Sequence, residues 1–241
     1  MGTYKITPLH LGDITRPKSN MINGYKGKEI LPFPLTAYYL EGEHKIMVDT
    51  GGCAPDEPRG IAAQPYTRTP EQDLKATLKN IGVDPDEIEY VIFTHIHWDH
   101  AYNNSLFKKA KFICQRKEYD GVASGADLLG YVPEEVLKYE YEFTDGDEEL
   151  FDGISVMMTP GHTRGMQCVV VDTDSGKVVI TGDLITVRES FNQDPPECNG
   201  LYPNEEALAQ MREGVAKVAA VSRKILPGHE PGVYEPNLGF N

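Results

Sequence analysis

Residues 89–100 read EYVIFTHIHWDH. The apolar, β-branched run Glu89–Thr94 predicts a strand, and the chain passes from it directly to His95, His97, Asp99 and His100. With 7 histidines among 241 residues, the pattern HxHxDH would arise by chance with a probability of roughly 4 in 10,000. The stretch therefore predicts a metal site where a strand ends. The alternative is a loop whose histidines are satisfied by hydrogen bonds.

The spacing within this loop indicates how its ligands would divide between ions. In an extended segment His95 and His97 point to the same side, so both imidazoles can reach one ion. The turn that follows redirects Asp99 and His100 towards a second ion. Imidazole and carboxylate ligands without thiolates suit zinc and its borderline neighbours. One segment can thus serve two metals.

Three further segments have the same form, an apolar strand that ends in a ligand beside glycine. They are MMTPGH at His162, VVITGD at Asp183 and KILPGH at His229. Singly each signal is weak, because a histidine after Pro-Gly is commonly a capped loop residue, but together with HxHxDH they predict one site. Asp183 would supply the carboxylate that a bridged ion pair needs. His10 and His44 match no motif and are predicted to be solvent or packing histidines.

The rest of the chain predicts an α+β protein. Strands are expected at Lys5–Leu9, Leu35–Glu41, Lys45–Asp49, Glu89–Thr94, Lys111–Cys114, Ile154–Thr159, Cys168–Asp172 and Lys177–Thr181. One helix is expected to begin after Thr69, with a proline at its first position, and to stop at Gly82. A second should run from Asn204 to about Val221, because apolar residues recur at three- and four-residue spacing.

Composition and charge narrow the function classes. The chain is 40% apolar and 25% charged, which is typical of a globular protein, and no repeat or linker divides it, so we expect a single domain over residues 1–241. A net charge of −14 disfavours nucleic acid and anionic membranes as partners. The 4 cysteines lie far apart, and neither a signal peptide nor a membrane span is evident. A cytoplasmic protein with reduced thiols is the expectation.

These motifs resemble the metallo-β-lactamase superfamily, with VDTGG at Asp49 beside THIHWDH, TPGHT, TGD and PGHE. The resemblance implies a four-layer αβ/βα sandwich with two metals at one edge, between two β-sheets. It implies two ligand sets, the first with His95, His97 and His162 and the second with Asp99, His100 and His229. Asp183 would bridge the two metals, and Asp49 would hydrogen-bond to ligands from behind.

Within that superfamily the chain looks like the N-acyl homoserine lactonase family of small dizinc lactonases. Asp183 follows His162 by 21 positions, and there is no long insertion. The resemblance implies two zinc ions per chain, with Mn, Fe or Co as alternatives. The implied reaction opens a small lactone or related ester by attack of a hydroxide that bridges the metals. Asp99 would also carry a proton to the leaving group. The oligomeric state is open, with a homodimer as one alternative.

One position departs from the lactonase pattern. The best-known acyl-homoserine lactonases have a tyrosine three positions after the bridging aspartate, where this chain has Thr186. A tyrosine placed there is predicted to favour acyl-homoserine lactones selectively, through one added hydrogen bond. Tyr102, Tyr202 or Phe191 could line the pocket instead, although the sequence favours a core or surface position for each of them. Its walls are expected from the loops Thr15–Pro34, Ala54–Arg68, Gly121–Glu140 and Thr186–Tyr202.

Three alternatives to a lactonase remain. A glyoxalase II-like thioesterase shares the metal motifs but usually carries a C-terminal helical extension, whereas twelve residues follow His229 here. A flavodiiron-like redox module carries Glu where this chain has His97, and the imidazole favours zinc hydrolysis over electron transfer. A metal-binding scaffold without catalysis is the third. The complete ligand set favours a hydrolase with Asp99 and Asp183 as its catalytic residues.

Overall fold

Two β-sheets form the centre of the computed structural model, which describes residues 2–57 and 65–234. The seven-stranded sheet has the order β4-β1-β2-β3-β5-β6-β7. Its strands are β1 (Lys5–Pro17), β2 (Ile30–Glu41), β3 (Lys45–Val48), β4 (Tyr66–Thr67), β5 (Tyr90–Ile92), β6 (Lys111–Gln115) and β7 (Tyr141–Thr144). From β3 to β7 neighbouring strands are parallel, whereas β1 pairs antiparallel with both β2 and β4.

The five-stranded sheet has the order β12-β11-β10-β9-β8. Its strands are β8 (Glu148–Phe151), β9 (Ile154–Met158), β10 (Gln167–Thr173), β11 (Gly176–Gly182) and β12 (Ile225–Pro227). Only the β11–β12 pair is parallel. A short turn at Asp174 and Ser175 connects β10 to β11, which pair antiparallel.

Three apolar clusters separate the layers of the molecule. The central cluster is built from both sheets, with Leu40, Ile46 and Ile92 on one side and Val169 and Ile180 on the other. Because alternate residues of a strand face opposite sides, each sheet has a second apolar face that must also be covered. Helices cover those faces, so the predicted four-layer α+β sandwich is confirmed.

The helices that form the outer layers are α1 (Leu74–Asn80), α2 (Arg116–Ala123), α3 (Pro133–Val136), α4 (Arg188–Phe191) and α5 (Glu205–Val221). Leu78 of α1 and Val122 of α2 belong to the cluster on the seven-stranded sheet. Met211 and Val218 of α5 are fully buried in the cluster on the five-stranded sheet. Burying one such side chain stabilises the fold by about 1.5–3 kcal/mol. No helix within residues 2–57 and 65–234 combines the length and apolarity needed to cross a membrane.

One predicted helix is confirmed and the other is divided. The α5 helix begins after Asn204, whose Oδ1 accepts the backbone N–H of Ala207 at 2.9 Å. The helix predicted from Thr69 to Gly82 is split into a 3-10 turn at Pro70–Gln72 and the α1 helix. Asp73 is extended between them and caps α1 as a second N-cap residue. Several residues that favour caps follow one another here, so the pattern could not identify which of them begins the α-helix.

The hairpin of β1 and β2 is longer than predicted, and the two ends of the Thr15–Pro34 segment expected as a pocket loop, residues 15–17 and 30–34, are strand. A bulge between His10 and Asp13 shifts the register. Gly12 adopts a φ of 120° there, and a Cβ at this position would lie 2.7 Å from the Tyr66 ring. The bulge lets β1 continue to Pro17 with Ile14 and Arg16 still buried.

The other predicted strands agree with β3, β5, β6, β9, β10 and β11 to within two residues at each end. The apolar strand expected in KILPGH before His229 is β12. The strands β4, β7 and β8 and the helices α2, α3 and α4 were not predicted, because they are short and carry little periodicity. Of the predicted loop Ala54–Arg68, residues 58–64 lie outside the described residues.

Candidate metal centre

Strand ends from both sheets place the predicted ligands at one edge of the sandwich. The His95–His100 loop follows β5, and the loop with His162 follows β9. Asp183 directly follows β11 and His229 comes shortly after β12. Because β11 and β12 are parallel, their carboxyl ends meet at the same edge. The structure thereby brings together all seven side chains that the sequence predicts as ligands.

The first predicted set, His95, His97 and His162, converges on one point. Nδ1 of His97 lies 3.1 Å from Nε2 of His95 and 3.3 Å from Nε2 of His162. Two nitrogens bound to a tetrahedral zinc at about 2.0–2.1 Å lie about 3.3 Å apart, so these spacings fit one zinc ion. A single imidazole proton can satisfy only one of the two contacts.

The second predicted set, Asp99, His100 and His229, lies beside the first. Nε2 of His229 is 3.9 Å from an Asp99 oxygen. Asp183 lies between the sets, because its Oδ1 is 3.4 Å from Nε2 of His100 and 3.1 Å from Nε2 of His229. Its Oδ2 is 3.3 Å from Nε2 of His162. Each Asp183 oxygen therefore faces one of the two sets.

Unsatisfied polar atoms test whether this arrangement fits metal ions. Nε2 of His100, Nε2 of His229 and Oδ1 of Asp183 are buried without a hydrogen-bond partner, although they converge. Leaving such atoms unpaired is costly in a protein interior. Cations coordinated by the facing lone pairs would remove that cost. The seven residues thus fit two ions, and imidazole and carboxylate donors suit zinc.

Partners behind the imidazoles hold their Nε2 atoms towards the site. Nδ1 of His95 donates to the Thr94 hydroxyl at 3.2 Å, and that hydroxyl in turn donates to the Asp49 carboxylate. Nδ1 of His162 lies 3.2 Å from the Leu201 carbonyl, and Nδ1 of His229 lies 2.7 Å from the Pro34 carbonyl. Such contacts fix the ring orientation and tautomer of a metal-binding histidine.

Asp49 occupies a place behind the ligands, where the resemblance put it. One oxygen accepts the Thr94 backbone N–H at 2.7 Å, and the other lies 2.8 Å from Nδ1 of His100. Its backbone φ is 62°, the only positive value among the described residues other than glycine. Aspartate tolerates this conformation better than most residues.

Burial and charge set the protonation of the ligands. Burial lowers the pKa of His95 well below its usual value, and it lowers the pKa of His97 to about 3. Both rings are therefore neutral at pH 7, as metal binding requires. Burial would also lower the pKa of His100, but the charges of Asp49 and Asp183 outweigh it and raise that pKa well above its usual value.

The carboxyl ligands are ionised in spite of their burial. Burial by itself would raise the pKa of Asp183, but the His229 and His100 charges hold it well below its usual value. For Asp99, burial is outweighed in the same way by His100 and His229, so its pKa is also lowered. Both side chains can therefore serve as anionic ligands at neutral pH.

A close approach at Gly228 explains one glycine of the motifs. A Cβ at this position would lie 2.7 Å from Oδ1 of Asp183. The PGH segment can therefore pass close to the Asp183 carboxylate only with glycine before His229. His229 is then held by its own backbone N–H, which donates to the Thr186 carbonyl at 2.9 Å.

Glu118 supports the site and was missed by the sequence analysis. Its Oε1 accepts the Ile96 backbone N–H at 3.2 Å and the Tyr131 hydroxyl at 2.9 Å. Its Oε2 accepts the Gly165 backbone N–H at 3.0 Å. The carboxylate thus links the segments that carry the first ligand set. No local signal marks it, because a glutamate in the first turn of α2 looks like an ordinary surface residue.

A cavity of about 800 Å³ opens onto the metal-binding edge. Asp99, His97, His162 and Asp183 form part of its wall. The rest comes chiefly from Ala126–Tyr131 and Leu201–Ala207, with Arg16 and Asn20 from the β1 side. Its size is within the range of small-molecule sites. The segments predicted at Thr15–Pro34, Gly121–Glu140 and Thr186–Tyr202 thus all contribute to the wall.

Among the aromatic residues proposed for the pocket, Tyr202 lines it. Phe191 is buried in the cluster under α5, and Tyr102 packs against the cluster on the seven-stranded sheet. Thr186, where a tyrosine is predicted to add a substrate hydrogen bond, is 1% exposed and lies outside the cavity wall, so the structure favours overpacking over a substrate contact for that substitution. Its hydroxyl donates to the Met21 carbonyl at 2.7 Å.

The two remaining histidines lie away from the cluster. The His10 ring stacks on Tyr234 with a centroid distance of 4.1 Å, and its Nε2 is 3.1 Å from Asp13. Nδ1 of His44 is 3.0 Å from Glu89. Neither belongs to a metal-binding group of the described residues. Their prediction as packing or solvent histidines agrees with these positions.

Comparisons with known proteins connect this geometry to one family. Residues 31–229 match the family model of the metallo-beta-lactamase superfamily. The N-acyl homoserine lactonase AiiA of Bacillus thuringiensis subsp. kurstaki is 32% identical over 215 residues, which cover 84% of this chain and 83% of that protein.

Solved structures agree with the sequence comparison. A mutant of B. thuringiensis AiiA with N-decanoyl-L-homoserine bound at the active site superposes with a TM-score of 0.81 at 28% identity, over 96% of this chain and 95% of that one. An N-acyl homoserine lactone hydrolase with its product N-hexanoyl-L-homoserine at the catalytic metal center gives a TM-score of 0.80 at 28% identity, with the same coverage.

Proposed function

The chain belongs to the metallo-beta-lactamase superfamily, and from that premise we propose that it is a dinuclear metal-dependent hydrolase that opens lactone rings. The observation that carries the proposal is the placement of Asp183 between two three-residue sets, with one carboxylate oxygen facing each. Relatives named as N-acyl homoserine lactonases, about 30% identical to this chain, support the reaction class. N-acyl homoserine lactones or related lactones are the proposed substrates.

In this proposal one metal is held by His95, His97 and His162. The other is held by Asp99, His100 and His229, with Asp183 shared between them. Zinc is the proposed metal, with Mn, Fe or Co as alternatives, because the donors are imidazoles and carboxylates. Two such ions would supply Lewis acidity towards a carbonyl oxygen and a nucleophilic water at neutral pH.

Residues of the chain supply the remaining steps. Asp99 lies in the cavity wall and is ionised, so it can accept a proton and deliver it to the alkoxide that leaves as the ring opens. Asp183 fixes the separation of the two ligand sets. Leu128, Leu129 and Tyr202 give the cavity apolar surface that suits an acyl chain.

We also propose that residues 1–241 form one domain that works in the cytoplasm. The central apolar cluster takes side chains from both sheets, which supports a single unit. All 4 cysteines are free and buried, in keeping with a reducing compartment. A small ester rather than nucleic acid is the proposed partner, since the net charge is −14.

A substrate panel tests the function. Zinc-reconstituted protein should open N-acyl homoserine lactones and other lactones faster than it cleaves S-lactoylglutathione or a β-lactam. His162→Ala should lower kcat/KM by more than the roughly 10- to 100-fold typical when only a residue behind a ligand is changed. His10→Ala is the matched control and should keep wild-type rates. Faster turnover of S-lactoylglutathione than of every lactone would contradict the lactonase assignment and favour a glyoxalase II-like thioesterase.

A further inference from the structure

Arg16 is a buried cation in the wall of the cavity. It follows the β1 bulge, is 8% exposed, and lines the cavity together with Asn20 and Asp99. Its Nε is buried without a hydrogen-bond partner. Within residues 2–57 and 65–234, no hydrogen bond or ion pair of its guanidinium is found. Its charge does act on the Asp99 carboxylate, so it lies on the metal-binding side of the molecule.

A second arginine of the same cavity shows the contrasting arrangement. Arg164 also lines the cavity, but its Nε and Nη2 reach the two oxygens of Asp127 at 2.5 and 3.0 Å. Its side chain is 55% exposed, so water also stabilises its charge. Nε of Arg16 has neither a carboxylate partner nor exposure to water. Burying a charged group in this way is unfavourable unless an anion pairs with it.

We propose that Arg16 binds an ionised carboxylate carried by the substrate, away from the ester that is cleaved. A guanidinium presents several N–H donors in a fork that matches the two oxygens of a carboxylate. A neutral carbonyl would accept a hydrogen bond but would bring no negative charge to pair with the buried guanidinium. Asn20, in the same part of the wall, offers a neutral hydrogen-bonding group beside it. The inference rests on the proposed function and specifies its substrate as an anionic lactone.

The experiment compares homoserine lactones whose acyl arms end in a carboxylate with isosteric compounds that end in a carboxamide. A series of arm lengths is used, with zinc-loaded wild-type protein. At the best length we expect the carboxylate to be favoured in kcat/KM by roughly 10- to 100-fold, the value of one or two charge-assisted hydrogen bonds. The effect should lie mainly in KM, because the arm does not react.

Three variants identify the source of the preference. Arg16→Gln should abolish the carboxylate preference and leave turnover of the carboxamide within a few-fold of wild type. Arg16→Lys should restore part of the preference, because it keeps the charge without the fork. Arg164→Gln, the matched control, should leave the ratio of the two substrates unchanged. Zinc content and melting temperature are measured for each variant, so that only folded, metal-loaded proteins are compared.

Two results would overturn the inference. One is a wild-type protein with no carboxylate preference at any arm length. The other is an equal loss on both substrates in Arg16→Gln, which would make Arg16 part of the architecture or the chemistry. Binding of the corresponding non-hydrolysable lactams is measured by calorimetry alongside. If no lactone is opened but carboxylate binding still depends on Arg16, the proposed function fails and the anion site stands.

Discussion

Asp49 and His100 are joined by a contact of 2.8 Å between a carboxylate oxygen and Nδ1 of the ring. Both groups are almost fully buried. The other Asp49 oxygen holds the Thr94 backbone at 2.7 Å, so the carboxylate connects the chain after β3 to the chain after β5. The His100 ring is thereby turned so that Nε2 faces Asp183. Asp49, which belongs to none of the candidate metal-binding groups of the described residues, thus orients His100 of the second set.

Changing Asp49 to Asn should weaken the second metal position more than the first, because Asp49 contacts His100 directly and His95 only through the Thr94 hydroxyl. One Asp49 oxygen faces both the Thr94 hydroxyl and Nδ1 of His100, and the other accepts the Thr94 backbone N–H. Asparagine replaces one of these oxygens by an NH2 donor, so at least one of these contacts is lost whichever way the amide is turned. We expect zinc affinity at the His100 position to fall about 10- to 100-fold, while the His95–His97–His162 set keeps its ion. Elemental analysis after dialysis against limiting zinc should give about one ion per chain. Equal loss of both ions would contradict separate roles for the two sets.

Changing Asp183 to Ala should weaken both positions together. The variant removes the oxygens that face His162 and those that face His100 and His229. We expect lower occupancy at both sites and a lower rate of lactone opening. His44→Ala is the control, because its ring pairs with Glu89 away from the cluster. It should change neither quantity. Full occupancy in Asp183→Ala would exclude the bridging role.

The clustering of the seven candidate ligands could be predicted from sequence, because each lies within a few residues of the strand end that carries it. His95, His162, Asp183 and His229 all follow apolar runs, and the pattern is local. Arg16 and Glu118 could not be predicted, because they reach the site only through tertiary packing. The division of the predicted helix at Asp73 was missed for another reason. Several residues that favour helix caps follow one another there, so the pattern fits a helix start at either Thr69 or Asp73.

Strands could be predicted where the sequence is continuously apolar or alternates between apolar and polar residues, and these strands define the layers of the fold. The ends of the β1–β2 hairpin have neither pattern and could not be predicted. Residues 15–17 read Thr-Arg-Pro, which is typical of a loop. The bulge at Gly12 keeps them in a strand by changing the register, and its close contact with Tyr66 exists only in the folded chain. Tertiary contacts therefore outweigh local propensity at this point.

Glu118 should make the free energy of unfolding decrease as the pH rises. Burial raises the pKa of its carboxyl above the ordinary 4.5, more than its hydrogen bonds lower it. The native state therefore binds the proton more tightly than the unfolded chain. This contribution to the free energy of unfolding is complete below about pH 4.5 and is lost as the pH rises through the raised pKa. The stability of wild type relative to Glu118→Gln should fall over the same interval.

Denaturant unfolding of the metal-free proteins at a series of pH values measures this difference. Glu118→Gln should also cost about 1–3 kcal/mol, because the amide nitrogen would face the Gly165 N–H. Glu142→Gln is the control, since Glu142 is exposed and pairs with Lys111 at 2.7 Å. It should change stability by about 1 kcal/mol at most. A wild-type advantage that grows with pH would contradict the raised pKa of Glu118.

Changing Thr186 to Tyr should destabilise the protein rather than add a substrate contact. The side chain is buried, and its hydroxyl donates to the Met21 carbonyl. Overpacking of such a position costs about 1–3 kcal/mol, and the adjacent carbonyl that holds His229 would shift. We expect a lower melting temperature and weaker zinc retention, whereas Thr186→Ser should keep both near wild type. A stable Tyr variant with a selective gain on acyl-homoserine lactones would contradict the buried position.

Zinc titration of the metal-free protein, with lactone opening as the readout, tests the dinuclear hydrolase most directly. If both ligand sets around Asp183 act together, the rate should stay low through the first equivalent of zinc and reach its maximum at two equivalents per chain. A maximum at one equivalent, or no lactone opening at any zinc level, would contradict the proposal.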